Sequence, residues 1–164
     1  MNTDRIVKTA IVASIYAALT IGLSPLSYGP IQFRISEVLI LLAFINSDYI
    51  VGLTIGCLIA NLLGPYGLAD IAFGTFATLV SAYLVNITPK FIKSKHAIWV
   101  ASLWPVIANA VIVGLMLNIF FKLPLLLSMI QVGIGEFGVV TIMGVPLFKL
   151  VASKYSGFLN CKEA

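Results

Sequence analysis

Long apolar runs alternate with short polar breaks along this chain. Six runs fall near residues 8–27, 36–47, 49–64, 70–87, 97–121 and 124–150. As helices, runs of roughly 20 apolar residues span a hydrocarbon core of about 30 Å. They are continuous, whereas a barrel strand of about 10 residues alternates apolar and polar side chains. The pattern predicts an all-α integral membrane protein, a six-transmembrane-helix bundle forming a single domain over residues 1–164. The opening MNTDRIVK and the run behind it have the flanks of a signal peptide, but no extended polar region follows, so the run is read as the first span.

The second and third runs are short. Between Glu37 and Asp70 the chain must enter, turn at Asn46-Ser47-Asp48 and return. That leaves about 16 residues per helix and a reach near 24 Å at about 1.5 Å per residue, less than the core thickness. With the turn at the inner surface, Glu37 and Asp70 lie below the outer one, at the floor of a recess. Unusually short hydrophobic segments point to a binding site.

Composition agrees with the membrane reading: 60% of the 164 residues are hydrophobic, 10% are charged, and the mean hydropathy is +1.09. A soluble domain carries about 25% charged residues. With six spans and an inner N-terminus, Arg5, Lys8, Lys90, Lys93, Lys95, Lys149, Lys154 and Lys162 fall inside and Arg34 and Lys122 outside. That bias follows the positive-inside rule, places both termini in the cytoplasm and the protein in the plasma membrane, and makes the net charge of +4 a topology signal rather than a nucleic-acid footprint. Cys57 in a span and Cys161 in the tail lack metal spacing. The lone His96 sits in a basic loop, and no phosphate loop, H-E-x-x-H or G-x-S-x-G is present. Neither enzyme chemistry nor a cofactor nor a metal is expected. Concentrating a solute would require an ion gradient or ATP hydrolysis borrowed from partners, because six spans leave no room for a nucleotide-binding domain of about 100 residues.

The polar residues near and inside the spans are the candidates for chemistry, each with a structural alternative. In YGPIQFRISE, Arg34 either neutralises Glu37 at the interface or guards a ligand carboxylate. Asp70 either caps the fourth span or binds solute. Glu136, in QVGIGEFG, is costly at about 2.5 kcal/mol or more inside a span and is read as functional rather than merely paired. Gly133, Gly135 and Gly138 would let a flat ligand or another helix approach the backbone there. Asn61 and Asn109 are either interhelical glue or readers of a heterocycle edge. Tyr28, Phe33 and Tyr66 form an aromatic belt or a lid that stacks on a ring, while Trp99 and Trp104 are belt and packing. Two stripes of small residues, Ala10-Ser14-Ala18 with Ala13 and Ala17 beside them, and Gly52-Gly56-Ala60, allow close helix approach inside the bundle or with another membrane protein.

The ordered set Arg34-x-x-Glu37, Gly56-x-x-x-x-Asn61, Asp70 and Phe73-Gly74-Thr75, within YGPIQFRISEVLILLAF and GLTIGCLIANLLGPYGLADIAFGTFATLVSAYL, resembles the QueT family over most of the chain. These are substrate-binding S components of energy-coupling factor transporters for queuosine precursors. The resemblance implies a six-helix bundle with a pocket near the outer face, closed by the loop between the first two helices. It also implies a transmembrane coupling protein and two cytoplasmic ATPases as partners, with the S component toppling against the coupling protein. The A-x-x-x-A pattern that meets that protein is matched by Ala13 and Ala17. The implied solute is a 7-deazaguanine, most simply the aminomethyl precursor of queuine. Glu37, Asp70 and Glu136 would accept from its ring edge and its cation, Asn61, Asn109 or Gln131 would read the remaining ring atoms, and Tyr28, Phe33 or Tyr66 would cover its face, with Arg34 as gate. Competing readings are an autonomous proton- or ion-coupled carrier in which Glu136 titrates and an assembly protein without a ligand.

Overall fold

In the computed structural model the described residues are 3–29 and 31–154, with the backbone alone for Asp4, so Cys161 and Lys162 lie outside them. Every element among these residues is helical. Helix α1 covers Thr3–Gly22, a single turn α2 covers Ser24–Ser27, and a 3-10 helix covers Ile35–Phe44. Then come α3 (Asp48–Leu62), α4 (Gly67–Phe91), the short α5 (Ala97–Ala101) and α6 (Leu103–Phe121). A last continuous run joins α7 (Leu125–Glu136), a π-helix (Phe137–Gly144) and α8 (Val145–Lys154).

Four stretches are long and apolar enough to cross a membrane: Arg5–Gly22, Gly67–Phe91, Ala97–Phe121 and Leu125–Lys154. Ile35–Phe44 and Asp48–Leu62 are shorter apolar helices. The expected second span is therefore neither full length nor α-helical. A 3-10 helix has three residues per turn and rises about 2.0 Å per residue, so ten residues reach about 20 Å. Its period eclipses side chains three apart, and Glu37, Ile40 and Ala43, each fully buried, fall into one inward row that continues the buried Arg34.

The breaks follow local chemistry. Gly67 opens α4 at φ +62°, a left-handed conformation that glycine adopts without strain. Lys122 closes α6 at φ +58°, and Pro124 sets the start of α7. Arg5 on α1 pairs with Asp48 at the start of α3. Asn86 of α4 donates to the Ala43 carbonyl at 2.7 Å, and the Lys149 ammonium lies 5.1 Å from the Trp99 ring centre. These contacts gather the start of α1, the 45–48 turn, the end of α4 and α8 at one end of the bundle, away from Lys122.

Helices α1 and α3 touch backbone to backbone. A methyl group at Gly52 would come within 2.8 Å of the Thr9 carbonyl, and one at Gly56 within 2.8 Å of the Ala13 carbonyl. The glycine stripe is thus spent inside the chain. Ala13 and Ala17, expected to meet a coupling protein, are only 5% and 7% exposed and face inward, whereas Ala10, Ser14 and Ala18 face outward. The side chains of Tyr16, Ile40, Leu41, Leu53, Val85 and Val140 fill the core between them and the last run. Phe76, Tyr83, Ile107, Leu126 and Ile142 are exposed around the outside, a lipid-facing surface.

Candidate solute-binding site

The end of the bundle opposite the basic residues holds a buried polar cluster. The Arg34 guanidinium donates to Asp70 Oδ2 at 3.2 Å, and both side chains are almost wholly buried. It also lies 5.4 Å from the Tyr28 ring centre, within cation–π range. Arg34 therefore pairs across the bundle, not with Glu37. Glu37 instead accepts from Tyr16 on α1 and, at 3.2 Å, from Thr78 on α4. The Thr78 hydroxyl also lies 3.2 Å from Cys57 Sγ, which links α3 into the same group.

Asn61 ties α3 to the first turn of α4 by donating to the Asp70 carbonyl at 2.9 Å. Glycine at position 74 is what makes room, since a methyl there would overlap Asp70 Oδ1 and stand 2.8 Å from Asn61 Nδ2. The phenol end of Tyr28 packs against Gly64 and donates to the Ala60 carbonyl at 2.7 Å; Tyr66 donates to the Tyr28 carbonyl at 2.9 Å. The two rings meet edge to face at 6.2 Å, and Tyr66 packs on Phe121 at 5.2 Å. These aromatics cover the cluster from the loop side. An open groove of about 390 Å³ beside Ile21, Pro25 and Leu63 shares Tyr28 with the cluster but is lined by no carboxylate.

The loop before the 3-10 helix dips onto α7. A methyl at Gly135 would overlap the Ile31 carbonyl, and one at Gly138 would come within 3.2 Å of the Phe33 ring. The space left by Gly135 and Gly138 is filled by this loop, and that by Gly133 is open to Ala110 of α6 at 3.5 Å. The Gly135 contact brings Glu136, the next residue, beside the loop. Glu136 is 4% exposed and Asn109 3%. Gln131 is half-buried and lies about 140° around an ideal helix from Glu136, so it does not share that face. Phe33 is 37% exposed and flanks the cluster from outside.

Several buried polar atoms have no hydrogen-bond partner among the described residues. The acceptors are Glu37 Oε2, Asn61 Oδ1, Asp70 Oδ1 and Glu136 Oε2, the donors are Gln32 Nε2 and Asn109 Nδ2, and the Ser27 hydroxyl is a further such group. Leaving one such group unpaired costs about 1–3 kcal/mol. Those of Gln32, Glu37, Asn61, Asp70 and Glu136 lie on or beside the 31–34 loop, where buried polar groups call for partners.

Sequence reasoning missed four members. Tyr16 and Thr78 carried no assigned role in the sequence and Cys57 only a place in a span, yet all three join the Glu37 group. Gln32, 3% exposed, adopts φ +53°, which is uncommon for a residue other than glycine, asparagine or aspartate. The available signal was its place two residues before Arg34.

The sequence profile of the QueT transporter family matches residues 6–153. The chain belongs to the QueT transporter family. That family comprises transporters rather than enzymes, and with its long apolar helices the chain is a multi-pass protein of the plasma membrane. A curated protein of Lactococcus lactis subsp. cremoris (strain MG1363), named "Queuosine precursor transporter QueT", is 51% identical over 81 residues, 48% of this chain and 47% of that protein. The chain thus spans about half the length of the curated relative it matches. No solved structure matches.

Proposed function

We propose that this chain is the solute-binding subunit of an ATP-driven energy-coupling factor importer, and that its solute is a 7-deazaguanine queuosine precursor. The unpaired, buried acceptors of Glu37, Asp70, Asn61 and Glu136 around one covering loop carry this reading. A 7-deazaguanine bearing an aminomethyl group supplies ring N–H groups and an ammonium to four acceptors, and its ring carbonyl and ring nitrogen to the amides of Gln32 and Asn109. The named relative transports a queuosine precursor.

In this reading all six apolar segments are membrane-embedded, both termini are cytoplasmic, and the cluster opens outward. A transmembrane coupling protein and two cytoplasmic ATPases supply the energy, and the subunit topples to release its solute inward. The outward small-residue face, Ala10, Ser14 and Ala18, is the docking surface for the coupling protein, since Ala13 is engaged by α3 and Ala17 is buried.

Calorimetric titration of the purified chain alone with the aminomethyl deazaguanine, guanine and queuine tests this. Tight binding of a deazaguanine without partners is the expected result, and no binding of any of the three removes the assigned solute. The buried, unpaired Glu136 Oε2 favours one second reading, an autonomous proton-coupled carrier. Uptake into liposomes that needs a pH gradient and no ATPases would establish it instead.

A further inference from the structure

Arginine is a guanidine on a tether, and guanine-type rings contain the same N–C–N array, with in-plane N–H groups able to meet one carboxylate. The Arg34 guanidinium is 4% exposed, donates to Asp70 Oδ2 at 3.2 Å and lies 5.4 Å from the Tyr28 ring centre. A carboxylate at the edge and an aromatic ring at the face are what a cyclic guanidine would require of a pocket. Asn61 Nδ2 holds the Asp70 backbone carbonyl at 2.9 Å, and both Asp70 Oδ1 and Asn61 Oδ1 retain unpaired acceptor capacity.

We propose that Asp70, Tyr28 and Asn61 form a subsite for a cyclic guanidine, and that the Arg34 guanidinium occupies it until a solute displaces it. This rests on the solute reading above and adds which group of the solute goes where. The exchange is balanced in charge, because a solute with an ammonium substituent brings one positive charge as Arg34 withdraws one. Arg34 can withdraw because its loop is at the surface: Ile31 and Phe33 are 40% and 37% exposed. Apparent affinity is reduced by the fraction of molecules whose subsite is closed by the arginine, so removing Arg34 should tighten binding. A gate residue that touches the solute would give the opposite sign.

The test uses the full chain and two ligands: 7-aminomethyl-7-deazaguanine and its counterpart lacking the 2-amino group, which breaks the guanidine array. Arg34→Gln should bind the 2-amino ligand about tenfold or more tighter than the wild type, as if the open form were about 10% populated. The counterpart, whose ring enters the same subsite, should gain by the same factor yet stay about tenfold weaker than the 2-amino ligand, since it offers Asp70 no 2-amino donor. Arg34→Lys keeps the charge but not the planar fork. It should show a smaller gain for both ligands and stands in if Arg34→Gln does not fold. Weaker binding, unchanged binding, or equal affinity of Arg34→Gln for the two ligands overturns the assignment of Arg34 while leaving the solute in place. Binding of neither ligand by wild type and variants overturns both readings.

Discussion

Arg34 and Asp70, 36 residues apart in sequence, form a buried ion pair at 3.2 Å that joins the loop after α2 to the first turn of α4. Removing one partner strands the other as an uncompensated charge, which costs about 3–5 kcal/mol. Asp70→Asn should therefore lower stability by about that amount, and pairing it with Arg34→Gln should cost less than the sum of the single changes. Chemical denaturation in detergent of both single variants and the double variant measures this. Strict additivity would show that the two side chains do not interact.

Gly135→Ala should displace the 31–34 loop, because its methyl would overlap the Ile31 carbonyl. Solute affinity should fall about tenfold or more, as expected when a polar contact worth about 1.4 kcal/mol is lost. Gly133→Ala, whose methyl would meet only the Ala110 side chain at 3.5 Å, should bind like wild type. Equal behaviour of the two variants in a titration would separate the loop from the site.

Tyr16→Phe removes the α1 donor to Glu37 while keeping the ring in the core. Loss of a buried hydrogen bond to a charged group should lower stability by about 1.5–3 kcal/mol. A melting temperature equal to that of wild type would mean the phenol contributes nothing to holding Glu37.

On α1, inward and outward small residues should behave differently. Ala13→Leu places extra methylenes against α3 and should cost about 1–3 kcal/mol through overpacking. Ser14→Leu, on the outward face, should leave stability and solute binding unchanged while stopping uptake in vesicles that also contain the coupling protein and ATPases. Normal uptake by Ser14→Leu would move the docking surface elsewhere.

Gln32→Gly relieves a left-handed backbone that costs a residue with a side chain about 1–2 kcal/mol. The variant should be at least as stable as wild type yet bind solute more weakly, since it loses the unpaired Nε2 donor. Undiminished affinity would make Gln32 a loop-shaping residue only.

Much of this architecture was legible because bilayer thickness constrains apolar length. The helical class, the two short segments after the first span and the breaks at Lys122-Leu123-Pro124 follow from hydropathy and turn chemistry. What stayed hidden were partnerships across the bundle. Arg34 and Glu37 sit three apart, and proximity in sequence suggested a pair. Both side chains turn inward, Arg34 from just before the 3-10 helix and Glu37 from its first turn, and α4 supplies Asp70 to one and Thr78 to the other. The inward face of α1 was equally unreadable, because Ala13 and Ser14 differ little in size and only the position of α3 separates them. Gln32 escaped notice because a backbone torsion leaves no mark on composition.

The 3-10 segment also works as a ruler. Ten residues wound this way cover about the distance that thirteen would cover as α-helix. One end is pinned at Arg34 by Asp70, and the other at Ala43 by Asn86. Both anchors belong to α4, so the spacing between the buried polar cluster and the opposite end of the bundle is measured twice, once along each strut. A residue inserted into either strut would throw the other out of step.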